Sequence, residues 1–414
     1  MTAEIVVMNT GGIALASDSA VTIRERKVYN SADKLFRFSG NHTIAVMIYG
    51  SASMFHVPWE TLIKVYENTL DSHAFDTVKE YMEDFLRFLN ENQYNQFMSE
   101  INEERYIENT LYANITHLYH QLSDINKSLY SEFGELSLQD EIQAIYIQQA
   151  EEFLNNRIQT LEEKAFPNGF NESDYERLFE KYEKRIEELI HGEFEHQLYI
   201  EDWLEGIKYI MVQSLVKEFS DNYSGIVFAG YGDKEIYPSV HVLIVDGKIN
   251  HKTKYFTRKK TINHSTHAVI LPFAQRDMIR SFLDGVHEDV EDFISIVLKS
   301  EFHSITDRLI DRLKDHFHEE VMVEEVEDEM AEAFKHVYNR YQKKLSSYKR
   351  EKFIDPILDV VESLPAKELA HIAESLLNIT SLKRKFSIAM ETVGGPIDVA
   401  VITKGDGFTW VKKK

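Results

Sequence analysis

The sequence predicts an α+β protein in which strand-rich blocks are separated by long helical ones. The blocks follow the order strands, helices, strands, helices, strands, rather than alternating as in parallel βαβ units. Glycine becomes rare between residues 53 and 218, where apolar residues recur at helical spacing. Charge is also segregated. Residues 67–220 contain 33 acidic and 12 basic side chains, so this segment has a net charge of −21, out of −23 for the whole chain.

The first block, residues 2–50, opens with a predicted hairpin. Apolar, β-rich runs at residues 5–8 and 13–16 flank Asn9-Thr10-Gly11-Gly12, a composition typical of a tight turn. Two more short strands are expected at residues 34–38 and 43–49. This arrangement places Thr2 at the edge of a predicted sheet.

The later blocks follow the same logic. After the helical stretch, in which Asn171 or Ser173 is expected to cap a helix, strands return at Ser224. An antiparallel meander is predicted there, with turns at residues 230–234 and at Asp246-Gly247. The remaining elements are expected in this order: a strand at 266–274, a helix at 275–286, acidic helices at 287–350, an amphipathic helix at 365–386 and a hairpin at 394–411.

Composition argues against several classes of protein. The net charge of −23 disfavours binding to nucleic-acid phosphates. No apolar run approaches the roughly 20 residues that span a bilayer, and the first 25 residues do not resemble a signal peptide. The absence of cysteine excludes disulfides and thiolate metal sites. We therefore expect a cytoplasmic protein with no metal, no cofactor and no membrane or nucleic-acid partner.

Three polar residues of the first block suggest chemistry: Thr2, Asp18 and Lys34. If the first hairpin and the next strand are neighbours, all three converge near one end of the sheet. Once Met1 is removed, Thr2 carries a hydroxyl and a free α-amine. The hydroxyl is a weak nucleophile that needs a base, and an α-amine with a usual pKa of about 7.7–8.0 can serve as one.

In this scheme a nearby Lys34 ammonium lowers the pKa of the α-amine, and Asp18 orients the lysine. A backbone N–H at the glycine of IYGSAS, Gly50, is a candidate oxyanion donor. Taken singly, each residue also has an ordinary interpretation. Thr2 can be just the second residue, Asp18 a turn former and Lys34 a solvated charge at a strand edge.

The stretch TAEIVVMNTGGIALASDSAVT resembles the start of proteasome β-subunits and of the bacterial heat-shock-locus peptidase. Both are N-terminal nucleophile (Ntn) hydrolases. The lysine of SADKLFRF and the turn YGSAS fall at the corresponding family positions. The resemblance implies a four-layer αββα sandwich that cleaves peptide bonds, with Thr2 as nucleophile and its α-amine as base. It assigns the remaining roles as follows: Asp18 and Lys34 tune the amine, Gly50 forms the oxyanion hole, and Val21, Thr22 and Ala52 bind substrate.

The resemblance covers roughly residues 2–66, 205–300 and 366–412. It implies an Ntn-hydrolase core of residues 1–66, 205–300 and 366–414, with two acidic helical insertions at 67–204 and 301–365. It further implies a peptide or protein substrate, a homo-oligomer that could be a ring, and a separate ATPase unfoldase. Two alternatives stay open. One is a small-molecule amide hydrolase of the same fold. The other is an inactive, scaffold-forming homologue, because Met390 and Val393 replace an aspartate and a serine of the family.

Overall fold

The structure is a computed structural model that describes residues 3–23, 27–29, 32–70, 74–90, 99–133, 139–194, 200–316, 320–386 and 394–414. Its strands are β1 (Ala3–Asn9), β2 (Gly12–Asp18), β3 (Val21–Ile23), β4 (Lys27–Tyr29), β5 (Leu35–Arg37), β6 (Ile44–Gly50), β7 (Ser53–Met54), β8 (Val57–Pro58), β9 (Ser224–Gly230), β10 (Ser239–Ile249), β11 (Lys252–Thr261), β12 (Ala268–Ala274), β13 (Ile397–Thr403) and β14 (Gly407–Lys412).

The helices are α1 (Trp59–Glu67), α2 (Val78–Asn90), α3 (Glu100–Phe133), α4 (Gln139–Glu163), α5 (Glu172–Glu193), α6 (Ile200–Lys217), α7 (Asp277–Asp284), α8 (Glu288–His316), α9 (Glu320–Lys349), α10 (Asp355–Glu362) and α11 (Ala366–Phe386). A π-helical turn, Arg350–Ile354, joins α9 to α10. Across the described residues, the protein combines helices with antiparallel sheets, which confirms the mixed α and β class. None of the described helices is long and apolar enough to cross a bilayer.

The chain divides into two compact units. The first comprises Met1–Tyr49, Ala229–Val240 and Lys260–Lys414, and the second comprises Gly50–Phe228 and His241–Lys259. The predicted division into a three-part core with two helical insertions stays a prediction.

The first five-stranded sheet lies in the first unit and has the order β12-β1-β2-β13-β14. The predicted hairpin is confirmed: β1 and β2 are antiparallel, with Val6 opposite Leu15. One face of this sheet packs on helices, where Ile5 and Ala16 share a buried apolar cluster with Leu369 and Leu377 of α11. The opposite face meets β6, since the rings of Phe273 and Tyr49 are 5.3 Å apart.

The second five-stranded sheet has the order β11-β10-β9-β6-β5. Within the second unit, Phe85 of α2 packs on Phe228 of β9 with ring centroids 5.5 Å apart. Helices α3 to α6 of this unit bury a separate apolar cluster. Asn171 caps α5 as predicted, because its side chain accepts a hydrogen bond from the Ser173 backbone N–H.

One predicted turn is wrong. Asp246 and Gly247 lie inside β10, and the chain reverses at Asn250 and His251, whose φ angles are 51° and 61°. Two residues with positive φ suit the twist of a short hairpin. Gly247 serves a different purpose, because a Cβ atom there would lie 2.5 Å from the Tyr106 ring.

Candidate active site

The candidate site is centred on Asp18, the last residue of β2. In the sheet it lies opposite Ile397 of β13, and its side chain is almost completely buried. Its position follows from the hairpin, because the paired runs of β1 and β2 bring the end of β2 beside the start of β1. A carboxylate therefore lies next to the first described residues of the chain.

Lys34 reaches this carboxylate from the segment that leads into β5. The Ile48 backbone N–H donates to the Lys34 carbonyl oxygen at 3.0 Å, which fixes the backbone of the lysine beside β6. The Lys34 ammonium Nζ donates to Asp18 Oδ1 at 2.5 Å. Both side chains are 3% exposed or less, so the ion pair is shielded from water.

Asp18 also organises the backbone around it. The Ala3 N–H donates to Oδ1 at 3.2 Å, and the Gly394 N–H donates to Oδ2 at 3.1 Å. Both carboxylate oxygens thus accept a backbone proton, and Oδ1 also accepts a proton from Lys34. The Asp18 carboxylate thus connects Ala3, Lys34 and Gly394, which are far apart in the sequence.

A second carboxylate, that of Glu4, lies near the same ammonium. Glu4 is fully buried and stands opposite Ser17 in the β1–β2 register. Its Oε1 atom is 3.9 Å from Lys34 Nζ. The sequence analysis missed this residue, although a glutamate inside an otherwise apolar strand was a usable signal, because charged residues are seldom fully buried without a partner.

Five of the residues singled out from the sequence have no described side chain. Thr2 lies outside the described residues, as do Met390 and Val393. Val21 and Thr22 are described only as backbone of β3, which pairs with β4 so that Thr22 is opposite Val28. The roles predicted for these residues remain predictions.

Gly50 and Ala52 belong to the second unit. Gly50 has a φ of +80°, and a Cβ atom at this position would lie 2.4 Å from the Tyr223 carbonyl oxygen. The neighbouring Ser51 N–H donates to that oxygen at 3.0 Å. Ala52 is exposed, and its carbonyl oxygen accepts a hydrogen bond from the Trp59 N–H. The positive φ and the close approach of Tyr223 both favour glycine at position 50.

A scan against models of known protein families finds no match, and no curated protein is significantly similar in sequence to this chain.

Two more features of this region were not predicted. The Ser19 hydroxyl donates to the Pro396 carbonyl oxygen at 2.6 Å, which adds a second tie between the end of β2 and the segment before β13. The Gly394 N–H bond to Asp18 is such a tie as well. Neither contact can be predicted from local sequence, because the partners are more than 370 positions apart.

Within the described residues, no group of three or more His, Asp or Glu side chains is placed to hold a metal ion.

Proposed function

We propose that this protein is an N-terminal threonine hydrolase of the proteasome-like kind, which cleaves peptide bonds with the Thr2 hydroxyl after Met1 is removed. The observation that carries the proposal is the buried contact between Lys34 and Asp18, on a carboxylate that also binds the Ala3 N–H. Ala3 is covalently bonded to Thr2. A cation–carboxylate pair is therefore held one residue away from the proposed nucleophile.

The burial of this pair supports a chemical role. Removing two charges from water costs several kcal/mol per ion, and their mutual attraction often only offsets that cost. A buried ion pair is therefore poor evidence for stability alone. Buried and paired titratable groups are instead common where the protein must control protonation, as at a catalytic base.

In the proposed reaction, the α-amine of Thr2 takes the hydroxyl proton while the hydroxyl oxygen attacks the peptide carbonyl. The amine then passes the proton to the leaving amine, and an acyl-enzyme forms. Water hydrolyses this ester, with the same amine acting again as the base. The Lys34 ammonium opposes protonation of a nearby amine and so lowers its pKa, and Asp18 holds Lys34 in position.

The fold supports the finer αββα class that we propose. Helices α10 and α11 cover one face of the first sheet, and α2 covers β9 of the second. Gly50 as oxyanion donor, Val21, Thr22 and Ala52 as substrate contacts, ring assembly and a separate unfoldase are further parts of the proposal that come from the family resemblance.

The decisive experiment combines intact mass with hydrolysis assays. We expect the purified chain to lack Met1, to cleave fluorogenic peptides, and to lose that activity in Thr2→Ala. Thr10→Ala is the matched control, because Thr10 is an exposed threonine at the far end of the same hairpin. Retained Met1 in an active preparation, or an active Thr2→Ala variant, would refute the proposal.

A parallel panel of small acyl amides separates a peptidase from a small-molecule amide hydrolase. Cleavage of the amides and not of the peptides would keep the Thr2 chemistry and change the substrate. A chain that cleaves neither class and keeps Met1 would correspond to the scaffold alternative.

A further inference from the structure

The candidate site contains a carboxyl group that the proposed reaction does not use, that of Glu4. Glu4 lies in β1, where its neighbours Ala3 and Ile5 are apolar and fully buried. Its own side chain is 0% exposed, and its Oε1 atom is 3.9 Å from Lys34 Nζ. Opposite charges at this separation affect each other's protonation strongly. The Lys34 ammonium therefore lies near two carboxyl groups, those of Glu4 and Asp18.

The pairing of Lys34 does not explain why Glu4 is present. Asp18 already accepts a hydrogen bond from the ammonium at 2.5 Å. A second buried carboxylate adds its own desolvation cost and is repelled by the first, whereas an apolar side chain at position 4 would add neither. Glu4 is therefore poorly explained by stability, and titratable groups in such surroundings are common at functional sites.

Glu4 faces away from the helices that cover the first sheet. Ala3 and Ile5 belong to the apolar cluster that packs on α11, and side chains alternate along a strand. The neighbour of Glu4 on β12 is Phe273, whose ring is 5.3 Å from the ring of Tyr49 in β6. The ionisable side chains that these contacts bring to Glu4 are Lys34 from the segment before β5, Asp18 from the end of β2 and Tyr49 from β6.

Two other carboxylates in this region have a different cation. Asp33 precedes Lys34 in the chain, and its Oδ1 atom is 3.0 Å from Lys414 Nζ. Asp398 of β13 is 3.8 Å from the same ammonium and accepts a hydrogen bond from the Lys414 backbone N–H at 2.8 Å. These charges are compensated at Lys414, apart from the Lys34 ammonium.

Covalent geometry brings the Thr2 α-amine to this cluster. Its nitrogen is three bonds from the Ala3 nitrogen, so standard bond lengths keep the two atoms within about 4 Å of each other. The Ala3 N–H donates to Asp18 Oδ1 at 3.2 Å. The amine therefore lies within roughly 7 Å of that oxygen in any conformation of the bonds between them, a distance over which buried charges still interact.

We propose that Glu4 is a third charged side chain of the candidate active site, a carboxylate that shares the Lys34 ammonium with Asp18 and stabilises the protonated form of the Thr2 α-amine. Its charge opposes that of Lys34, which favours the free amine. The balance between the two charges sets the pH above which the amine can act as a base. Glu4 acts through its charge and does not contact the substrate. This inference rests on the proposed function, because it concerns the amine of the same site.

The first test is the pH dependence of kcat/KM for a fluorogenic peptide, because the acid limb of this profile reports the pKa of the base in the free enzyme. A negative charge raises the pKa of a nearby amine, so removing the Glu4 charge lowers it. We expect Glu4→Gln to move the acid limb about one unit toward lower pH, the effect of one charge about 10 Å away at an effective dielectric constant of about 20. Glu4→Met removes the same charge and should move the limb equally, which keeps the test valid if Glu4→Gln folds poorly.

Glu332→Gln is the matched control, because Glu332 is an exposed glutamate of α9 in the same unit and its replacement changes the net charge by the same amount. Its acid limb should coincide with that of the wild type. An unchanged limb in a folded Glu4 variant, a shift toward higher pH, or an equal shift in the control overturns the proposal.

The second test measures the amine without turnover. The rate at which acetic anhydride acetylates the Thr2 α-amine is followed against pH by peptide mass spectrometry, in the full chain and in Glu4→Gln. The same shift of about one unit is expected, since both measurements report the same protonation. A chain that shows this shift but hydrolyses nothing would refute the hydrolase function alone. An active chain in which neither measurement moves would refute only the role of Glu4, and retained Met1 would refute both.

Discussion

At the level of single residues, Asp18 has the densest set of contacts in the candidate site. It accepts protons from the Lys34 ammonium and from the Ala3 and Gly394 backbone N–H groups. Removing the lysine alone leaves a buried carboxylate with two neutral donors. Replacing Asp18 as well removes the carboxylate that the loss of the ammonium leaves unpaired, and the two losses should therefore not add.

We predict that Lys34→Met lowers the free energy of unfolding by about 3–5 kcal/mol, the usual cost of leaving one member of a buried pair uncompensated. Asp18→Asn/Lys34→Met should cost clearly less than the sum of the two single changes. Urea denaturation of the four proteins measures this coupling. Both single variants should also lose peptide hydrolysis if the proposed function holds.

Lys79→Met is the control, because Lys79 pairs with Glu83 at 2.9 Å on an exposed helix surface. Exposed pairs of this kind contribute about 0.3–0.5 kcal/mol. If Lys34→Met costs no more than Lys79→Met, Lys34 does not compensate a buried charge.

Gly50 offers a second test with a close control. Gly50→Ala combines a positive φ with a contact of 2.4 Å to the Tyr223 carbonyl oxygen, whereas Gly40→Ala has a φ of +76° and no atom within 4 Å. We expect about 1–2 kcal/mol of destabilisation for Gly40→Ala, from backbone conformation alone. Gly50→Ala should cost more because backbone atoms must move. Equal costs in thermal or urea unfolding would mean that the approach of Tyr223 is easily relieved.

At the scale of secondary-structure elements, Glu218 links α4 to the end of α6. Its carboxylate binds Arg157, and Lys164 lies 3.2 Å away. Burial acts to raise the pKa of the Glu218 carboxyl. The hydrogen bond and charge of Arg157, together with Lys164, outweigh burial and hold the pKa below its usual value of 4.5.

The lowered pKa gives the link a defined pH dependence. The stabilisation is complete above about pH 4.5, the usual pKa, and it is lost as the pH falls from there through the lower folded-state value. We expect Glu218→Gln to cost about 1–2 kcal/mol at pH 7, as for a hydrogen bond to a charged group, and progressively less in acid. Urea unfolding at several pH values measures the difference.

Glu152→Gln is the control for this series, because Glu152 is an exposed glutamate of α4, the helix that carries Arg157. It should change the free energy of unfolding little at any pH. A cost of Glu218→Gln that stays constant down to pH 3 would rule out the charged link.

In the hairpin between β10 and β11, tertiary contacts override the turn that the local sequence predicts. Asp-Gly is a strong turn signal. Here, however, Asp246 Oδ2 accepts hydrogen bonds from Lys254 Nζ at 3.1 Å and from the Tyr106 hydroxyl at 2.5 Å. These partners hold Asp246 within the strand. The turn moves to Asn250-His251, where asparagine tolerates the positive φ.

At the scale of the whole molecule, the net charge of −23 is the dominant electrostatic property. Self-repulsion of like charges destabilises a compact state, and salt screens it. We predict that raising NaCl from about 20 to 200 mM increases the unfolding temperature, because the Debye length falls below about 10 Å over this range. Thermal unfolding followed by circular dichroism provides the measurement.

Matched concentrations of an uncharged osmolyte separate screening from general solvent effects in this experiment. An unfolding temperature that falls as NaCl is added would show that attractive ion pairs, such as Lys349 with Glu291 at 2.7 Å, contribute more than the repulsion does.

Much of the fold was predictable because its signals are local. The first hairpin, the cap at Asn171 and the closing hairpin of β13 and β14 each depend on turn chemistry or hydrophobic periodicity within a few residues. For the site, sequence reasoning selected Asp18 and Lys34, which lie in contact. It did not find Glu4 or Gly394, because their contacts arise from strand register and from chain ends far apart in sequence.

The sequence by itself determined the helix and strand blocks, the acidic character of residues 67–220 and the choice of Asp18 and Lys34 as a candidate pair. Only the tertiary structure decided that the two are buried together and that Ala3 and Gly394 share the same carboxylate. The physical reason is the sequence distance over which each effect acts. Propensity and periodicity act over a few residues, whereas burial and charge pairing depend on which distant segments fold against each other.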